Sequence, residues 1–246
     1  MKISKDRELI VGILGGMGPE ATSDLFSKII DYTPAQKDQE NLKILVYNNP
    51  KIPDRTGAIL GDGEDPLPAL VESAQILENA GADFVVIPCN TAHYFFDELE
   101  KQVKIPVMNM IEESAQRITE QRPELKCVGL MGTTGTLQSG IYDRVFAEYG
   151  VEVIVPSASD RATVMEIIYS IKSRRETEQQ KGMLTRIAHN LIDRGAEAVV
   201  LGCTELPLLF ENRSFLYPLY IPQNILAERA VEVALGNGMQ SPVKSD

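Results

Sequence analysis

Short apolar runs alternate with amphipathic stretches along most of the chain. Six runs rich in Val, Ile and Leu predict buried strands, because they lack the alternation expected of a strand with one solvent-exposed face. These predicted strands cover residues 9–14, 42–47, 84–88, 127–131, 151–155 and 198–201. Between them, apolar residues recur at helical spacing. The order of strands and helices predicts an α/β protein with parallel sheets.

Two of the predicted helices have clear boundaries. Pro19 suits the first position of a helix that runs to about Tyr32, because the N–H group that proline lacks would be unpaired there. A second helix carries one apolar stripe within residues 183–192, and Gly195 follows it as a stop signal. The charged segment 172–181 predicts a solvated helix face or a connection.

The chain contains an internal repeat. GADFVVIPCNT at residues 81–91 recurs as GAEAVVLGCTE at residues 195–205, with the cysteine at the same register. Upstream, VGILG at residues 11–15 recurs as VGLMG at residues 128–132, and an Ile-Pro pair follows each copy at a similar distance. The repeat predicts two similar doubly wound parallel-sheet domains related by a pseudo-twofold axis, with the active site in the cleft between them.

The repeat also suggests domain boundaries. The first domain is predicted to comprise residues 1–108 together with 218–236, because we expect the last helix to return to it. The second domain is predicted to comprise residues 109–217. Residues 237–246 are expected to form a frayed tail.

Composition and charge exclude several classes of function. The 246 residues include 24 Lys and Arg against 35 Asp and Glu, a formal net charge of −11. Nucleic acid is therefore not an expected partner, since binding it needs a basic surface. We also expect no membrane span and no signal peptide, because the long apolar runs that both require are absent from the sequence. Three cysteines do not make a disulfide framework, which predicts a cytoplasmic protein with reduced thiols.

The two repeated cysteines suggest the chemistry. Cys89 and Cys203 each follow a predicted strand, and ligands of open parallel sheets bind beyond the carboxyl ends of the strands. We expect the polar residues 90–91 and 204–205 to cap the next helices, whose dipoles would lower the pKa of the thiols. One sulfur on each side of a shared cleft suits inversion of a stereocentre, with a thiolate as base and a thiol as acid.

Four motifs in the chain carry a resemblance to a known family, and the two that contain the repeated cysteines are together highly specific. They are GILGGMGPEAT at residues 12–22, IPDRT at 52–56, PCNTAH at 88–93 and GCTELP at 202–207. The chain resembles, to about residue 235, the aspartate racemase family, the cofactor-independent branch of the aspartate/glutamate racemase superfamily. This resemblance implies a two-domain α/β enzyme, commonly a dimer, that interconverts L- and D-aspartate without pyridoxal phosphate. It also implies that Cys89 and Cys203 are the catalytic acid/base residues.

Positive charge near these cysteines would be needed to hold a dicarboxylate, because the net charge of −11 repels it. Arg55 can clamp a carboxylate with two parallel hydrogen bonds, and the resemblance places a substrate-binding arginine there. The resemblance also matches Lys172 to a lysine that contacts the side-chain carboxylate. Arg174 and Arg175 lie in the same stretch and are alternatives for that role.

Further substrate-binding candidates lie at the other strand ends. Asn90, Thr91 and Thr204 are expected to hold the α-carboxylate through amide, hydroxyl and backbone N–H groups. The resemblance adds Met17, at a position that lines the site through its backbone.

A threonine-rich loop follows another predicted strand. Thr133, Thr134 and Thr136 resemble a family substrate loop, and we take Thr134 and Thr136 as its substrate-binding residues. His93 is expected to be structural and Cys127 a small buried hydrophobe. No metal is expected, because a Cys/His site would lack further ligands.

Several alternative functions remain open. A racemase of broader specificity that includes glutamate would fit, although glutamate racemases usually have His where this chain has Glu205. A lyase or cis–trans isomerase of the same superfamily is a second alternative. A third is an NAD-binding oxidoreductase, since GMGPEA at residues 16–21 fits the G-x-G-x-x-A pattern. Asn48 follows the next predicted strand, where an acidic residue would hold the ribose, and this argues against NAD.

Overall fold

The structure is a computed structural model that describes residues 8–210 and 215–236. Within these ranges the chain forms two parallel sheets with helices between the strands, which confirms the predicted α/β fold. No helix of the described residues combines the length and apolar character needed to cross a lipid bilayer.

The first sheet has the strand order β2-β1-β3, and all of its strand pairs are parallel. Two 3-10 helices, Asp38–Glu40 and Thr91–Phe95, lie in its connections. The elements in this part of the chain are β1 (Val11–Gly15), α1 (Pro19–Tyr32), β2 (Ile44–Asn48), α2 (Arg55–Leu60), α3 (Leu67–Asn79), β3 (Phe84–Val86) and α4 (Phe96–Glu100).

The second sheet has the order β5-β4-β6-β7 and is also parallel. Its elements are α5 (Met110–Gln121), β4 (Cys127–Gly132), α6 (Thr134–Ser139), α7 (Ile141–Glu148), β5 (Glu152–Ile154), α8 (Ala158–Lys172), α9 (Glu178–Asp193), β6 (Ala198–Gly202), α10 (Leu206–Leu209), β7 (Leu219–Tyr220) and α11 (Pro222–Ala234). The charged segment 172–181 contains the last residue of α8, a short connection and the first residues of α9.

The repeat in the sequence corresponds to a repeat in topology. In each sheet a central strand, β1 or β4, pairs with the next strand on one side and with the strand that precedes a repeated cysteine on the other. Gly81 and Gly195 end the helices before those strands with φ values of +97° and +105°. Glycine is favoured there because side chains with a Cβ rarely adopt this left-handed conformation. The pseudo-twofold axis itself stays a prediction.

The last helix packs against the first sheet. Leu226, Ala227 and Ala230 of α11 are buried in one cluster with Leu9 and Val11. This packing supports our division into residues 1–108 with 218–236 and residues 109–217, which remains a proposal. The predicted tail, 237–246, lies outside the described residues.

Candidate active site

Cys89 and Cys203 line the same cleft. Both are free thiols and nearly buried, with exposed fractions of 5 % and 4 %. Cys89 follows β3 of the first sheet and Cys203 follows β6 of the second. The cleft therefore lies where the carboxyl ends of both sheets meet, as expected for a ligand site in parallel sheets.

Most of the predicted site residues line this cleft. Of the ten, eight do so: Met17, Arg55, Cys89, Asn90, Thr91, Lys172, Cys203 and Thr204. Thr134 instead borders a separate depression with Arg161, and Thr136 is buried behind the cleft wall with 1 % exposure. Thr133 faces the cleft, because β4 ends at Gly132 and Thr133 is the residue that caps α6.

The cleft has five further lining residues that the sequence analysis did not assign to substrate binding. They are Asp54, Thr56, Met165, Tyr169 and Glu205. Met165, Tyr169 and Lys172 lie on α8 at spacings of four and three residues, which places them on one face of the helix. From that spacing in the sequence, Met165 and Tyr169 could have been predicted to line the cleft together with Lys172.

Arg55 is held by backbone carbonyl groups at the start of α2. Its Nη1 donates to Pro53 O at 2.9 Å and to Ile52 O at 3.3 Å, and its Nη2 donates to Met17 O at 3.5 Å. Asp54 begins the helix, and its Oδ2 accepts from the Gly57 N–H at 2.7 Å. The Nε of Arg55 is buried and has no hydrogen-bond partner among the described residues. A buried guanidinium with an unpaired N–H suits a ligand with an anionic oxygen.

Asn90 also carries an unpaired donor. Its Oδ1 accepts a hydrogen bond from the Tyr142 hydroxyl at 2.5 Å, whereas its Nδ2 is buried without a partner in the part of the chain that the structure describes. The residue is 2 % exposed. Because an unpaired buried donor is unfavourable, a ligand oxygen beside Nδ2 would be stabilising.

Three threonine hydroxyls connect the two halves of the cleft wall. Thr91 Oγ1 lies 2.9 Å from both Thr133 Oγ1 and Thr136 Oγ1, and the latter two are 3.0 Å apart. Thr91 follows β3, whereas the other two follow β4. Thr136 is therefore placed to support Thr91 and Thr133 and does not itself line the cleft.

Glu205 lies between Cys203 and Lys172. Its Oε2 accepts hydrogen bonds from Cys203 Sγ at 3.0 Å and from Thr204 Oγ1 at 3.2 Å. Lys172 Nζ lies 3.9 Å from Glu205 Oε1. The side chain of Glu205 does not cap α10, and that of Asn90 does not cap the 3-10 helix, so the capping predicted for these two side chains is wrong.

The prediction of a lowered thiol pKa is also wrong for Cys203. Burial raises the pKa of this thiol well above its ordinary value, and the Glu205 carboxylate raises it further, although the Lys172 ammonium acts in the opposite direction. The helix that follows, α10, has four residues, too few to outweigh these effects. Burial lowers the pKa of Lys172, but the neighbouring acidic groups, with the Glu205 carboxylate first among them, raise it on balance.

His93 supports the strand end that carries Cys89. Its Nδ1 donates to Cys89 O at 2.8 Å, and its Nε2 accepts from the Met110 N–H at 3.1 Å. Burial lowers the pKa of His93 to about 4, so the ring is neutral at neutral pH. It connects the cleft to the start of α5 and does not line the cleft.

The glycine-rich turn after β1 faces the cleft beside Glu205. A Cβ on Gly18 would lie 3.3 Å from Glu205 Oε1, so the glycine leaves room for the carboxyl group. A buried carboxylate at this place would repel the pyrophosphate of a dinucleotide. Among the described residues there is also no group of three or more His, Cys, Asp or Glu placed to hold a metal ion.

Known proteins resemble this chain over nearly its whole length. The sequence pattern of the Asp/Glu/hydantoin racemase family matches residues 14–230. A broad specificity amino-acid racemase of Bacillus subtilis, RacX, is 30 % identical over 232 residues, which cover 92 % of this chain and 98 % of that protein.

Solved structures agree with this match. The aspartate racemase of Picrophilus torridus superposes with a TM-score of 0.81 and 31 % identity, covering 92 % of this chain and 94 % of that one. An aspartate racemase homologue from Pyrococcus horikoshii superposes with a TM-score of 0.75 and 25 % identity, covering 92 % and 99 %. The chain therefore belongs to the Asp/Glu/hydantoin racemase family.

Proposed function

We propose that this protein interconverts L- and D-aspartate by two-base proton transfer at Cα, without a cofactor. The observation that carries the proposal is that Cys89 and Cys203, which follow strands of different sheets, line one cleft. One thiolate removes the Cα proton, and the opposite thiol delivers a proton to the other face of the carbon. The two sulfurs exchange roles for the other enantiomer, since enantiomers have equal free energy and both directions need an acid and a base.

The donors of the cleft support a substrate with two carboxylates. Arg55 and Lys172 carry the positive charge, and Arg55 Nε and Asn90 Nδ2 are buried without partners among the described residues, so a carboxylate oxygen would stabilise each of them. We assign the side-chain carboxylate to Lys172 and a carboxylate clamp to Arg55. Thr91 and Thr204 join Asn90 at the α-carboxylate in this proposal.

The threonine loop and the glycine-rich turn complete the proposed site. Met17 contributes its backbone, whose carbonyl oxygen also holds Arg55. Thr133 takes the place that we predicted for Thr134, because it is the threonine of this loop that lines the cleft. Thr136 then acts indirectly, through the hydrogen bonds that position Thr91 and Thr133.

The decisive experiment uses L-aspartate in D2O with reduced protein and no added cofactor. We expect D-aspartate by chiral chromatography and deuterium at Cα by mass spectrometry. Cys89→Ser and Cys203→Ser are each expected to lower the rate at least about 100-fold, since each removes one of the two acid/base groups. Cys127→Ser is the matched control, because Cys127 lies in β4 outside the cleft, and it should keep the wild-type rate.

Two results would contradict the proposal. Folded, reduced protein that yields neither D-aspartate nor Cα deuterium would exclude racemisation of aspartate. Full activity in either cleft cysteine variant would exclude the two-base mechanism. Loss of aspartate without formation of its enantiomer would indicate a lyase instead.

Broader specificity is the second candidate function, because the similarity to RacX is as extensive as the similarity to the aspartate racemase. A panel of amino acids, each offered as both enantiomers, distinguishes the two. We expect kcat/KM for aspartate to exceed that for glutamate and for uncharged amino acids at least tenfold. Similar values across the panel would favour the broad-specificity racemase.

We also propose a homodimer, on the basis of the family resemblance. Light scattering coupled to size-exclusion chromatography is expected to give about twice the chain mass of 27.2 kDa. A mass that stays at the value of one chain at micromolar concentration would contradict this proposal.

A further inference from the structure

The two cleft cysteines have different surroundings, although they occupy the same register of the repeat. Cys203 Sγ donates to Glu205 Oε2 at 3.0 Å. Cys89 Sγ makes no side-chain hydrogen bond within the described ranges, 8–210 and 215–236. The residue two positions after Cys89 is Thr91, at the register of Glu205. Since the Thr91 hydroxyl contacts Thr133 and Thr136, only the second copy of the motif places a proton acceptor beside its sulfur.

Neighbouring groups fix the position of the Glu205 carboxyl group. The side chain is buried, with 5 % exposure for the residue. Oε2 also accepts from the Thr204 hydroxyl, Oε1 faces Lys172 Nζ, and Gly18 leaves the space beside Oε1 free of a side chain. These contacts direct the buried carboxyl group at the sulfur and hold it at hydrogen-bonding distance.

We propose, building on the racemase function above, that Glu205 is a positioning residue that holds Cys203 and takes its proton when Cys203 has to act as the base. The S–H bond of Cys203 breaks, and an O–H bond forms at Glu205 Oε2. The products are a thiolate and a neutral carboxyl group, and the thiolate then accepts the Cα proton of the substrate. The reverse reaction follows the same path: the Cys203 thiol, with Glu205 protonated, gives its proton to Cα, and Glu205 then returns its own proton to the thiolate, which restores the thiol and the ionised carboxylate.

The charges around the sulfur are compatible with this exchange. Moving the proton leaves the combined charge of Cys203 and Glu205 at −1, and the Lys172 ammonium compensates that charge in both states. Once protonated, Glu205 no longer repels the thiolate, and its new O–H can donate to the sulfur. The other titratable groups that line the cleft are those of Asp54, Arg55, Cys89 and Tyr169. Tyr142 also lies near Cys203, and burial raises its pKa far above the ordinary value. Tyr142 therefore stays protonated throughout.

The test compares wild-type protein with Glu205→Gln and Glu205→Asp. The pH dependence of iodoacetamide alkylation is followed for Cys203 and Cys89 separately by peptide mass spectrometry, and kcat and KM are measured with aspartate. In Glu205→Gln we expect the pH midpoint of Cys203 to fall by at least one unit, which is at least a tenfold rise in alkylation at neutral pH. The midpoint of Cys89 should stay within 0.3 units.

Although alkylation of Cys203 should rise in Glu205→Gln, kcat should fall. Although its Cys203 is more often a thiolate, Glu205→Gln should lose at least about 30-fold in kcat, because it has lost the group that takes the proton. KM should stay within about threefold. Glu205→Asp, whose carboxylate is one methylene farther from the sulfur, should fall between Glu205→Gln and wild type in both kcat and midpoint. A loosened fold would instead raise alkylation of both thiols at every pH.

An unchanged Cys203 midpoint in Glu205→Gln, or a kcat equal to that of wild type, would overturn the proposal. If Glu205→Gln does not fold, the Cys203 midpoint and kcat of Glu205→Asp provide the test. A wild-type kcat in Glu205→Asp would then contradict the proposal. If wild-type protein does not racemise aspartate, the proposed function fails. The alkylation midpoints then still show whether Glu205 controls the Cys203 proton.

Discussion

The Tyr142 hydroxyl donates a hydrogen bond of 2.5 Å to Asn90 Oδ1, and this contact joins the two halves of the molecule. Tyr142 belongs to α7 beside the second sheet, whereas Asn90 follows β3 of the first. Because the oxygen of the Asn90 amide is occupied by the hydroxyl, its Nδ2 is the donor left for a ligand. A residue beside the second sheet thus orients the Asn90 amide, which follows a strand of the first sheet and which we propose binds the substrate.

Tyr142→Phe should weaken substrate binding and lower stability. The substitution leaves the buried Asn90 Oδ1 without its donor, which costs about 1–3 kcal/mol in the free energy of unfolding. We expect KM for aspartate to rise about five- to tenfold with kcat within threefold, measured by chiral chromatography alongside urea unfolding. Tyr149→Phe, at an exposed tyrosine after the same helix, is the control and should change neither. A wild-type KM in Tyr142→Phe would show that the Asn90 amide needs no such orientation.

Arg55→Lys should impair binding while keeping the positive charge. A lysine lacks the planar fork that here contacts three backbone carbonyl groups and leaves Nε for the ligand. We expect at least a tenfold rise in KM, about 1.4 kcal/mol of binding free energy. Arg144→Lys on the exposed side of α7 serves as the control. If Arg55→Lys keeps the wild-type KM, charge alone is sufficient at this position.

The threonine cluster should show energetic coupling. Thr91→Val and Thr136→Val each remove one hydroxyl from a buried set of three, and we expect each to cost about 1 kcal/mol of unfolding free energy. Because the two hydroxyls are 2.9 Å apart, the double variant should cost less than the sum of the single variants by about 0.5 kcal/mol or more. Urea unfolding of the four proteins measures this. Strict additivity would mean that the contact does not stabilise the fold.

His93 should make stability depend on pH below neutrality. Its pKa is about 4 in the folded protein against an ordinary value of 6.5, so between these values the unfolded chain binds a proton that the folded protein does not. The contribution of the neutral His93 ring to the free energy of unfolding is fully present above about pH 6.5, and it is lost as the pH falls towards 4. From pH 7 to pH 5, His93 should account for about 2 kcal/mol of the decrease.

His93→Gln tests this pH dependence. The variant should be less stable than wild type at pH 7, because a buried ring that bridges Cys89 and Met110 is lost. From pH 7 to pH 5, the free energy of unfolding of the variant should decrease by about 2 kcal/mol less than that of wild type. Urea unfolding at both pH values measures this difference. Equal decreases in the two proteins would show that His93 titrates normally in the folded state.

Much of the fold could be predicted because it depends on local signals. Pro19 and Gly195 have backbone preferences that apply in any context, and the structure begins and ends its helices beside them. The strand β7 has only Leu219 and Tyr220, too few residues to form a pattern, and it exists because β6 provides an edge to pair with.

The site could be predicted in part. The residues that follow the strands had to lie at the carboxyl edges of the sheets, which is why Met17 and the residues of the two cysteine motifs line the cleft. Arg55, at the start of α2, and Lys172, at the end of α8, were identified by the family resemblance. Thr133 and Thr134 could not be distinguished, because one residue of shift in the end of β4 decides which of them faces the cleft. The effect of Glu205 on Cys203 required knowledge of side-chain distances that no spacing in the sequence contains.

The sequence by itself determined the alternation of strands and helices, the repeated cysteine motif and the family, because these depend on residue type and order. Tertiary structure decided the electrostatic state of the site. Folding buries Cys203 beside Glu205 and Lys172, and the loss of solvent, followed by the charges of the carboxylate and the ammonium group, sets the protonation of this thiol.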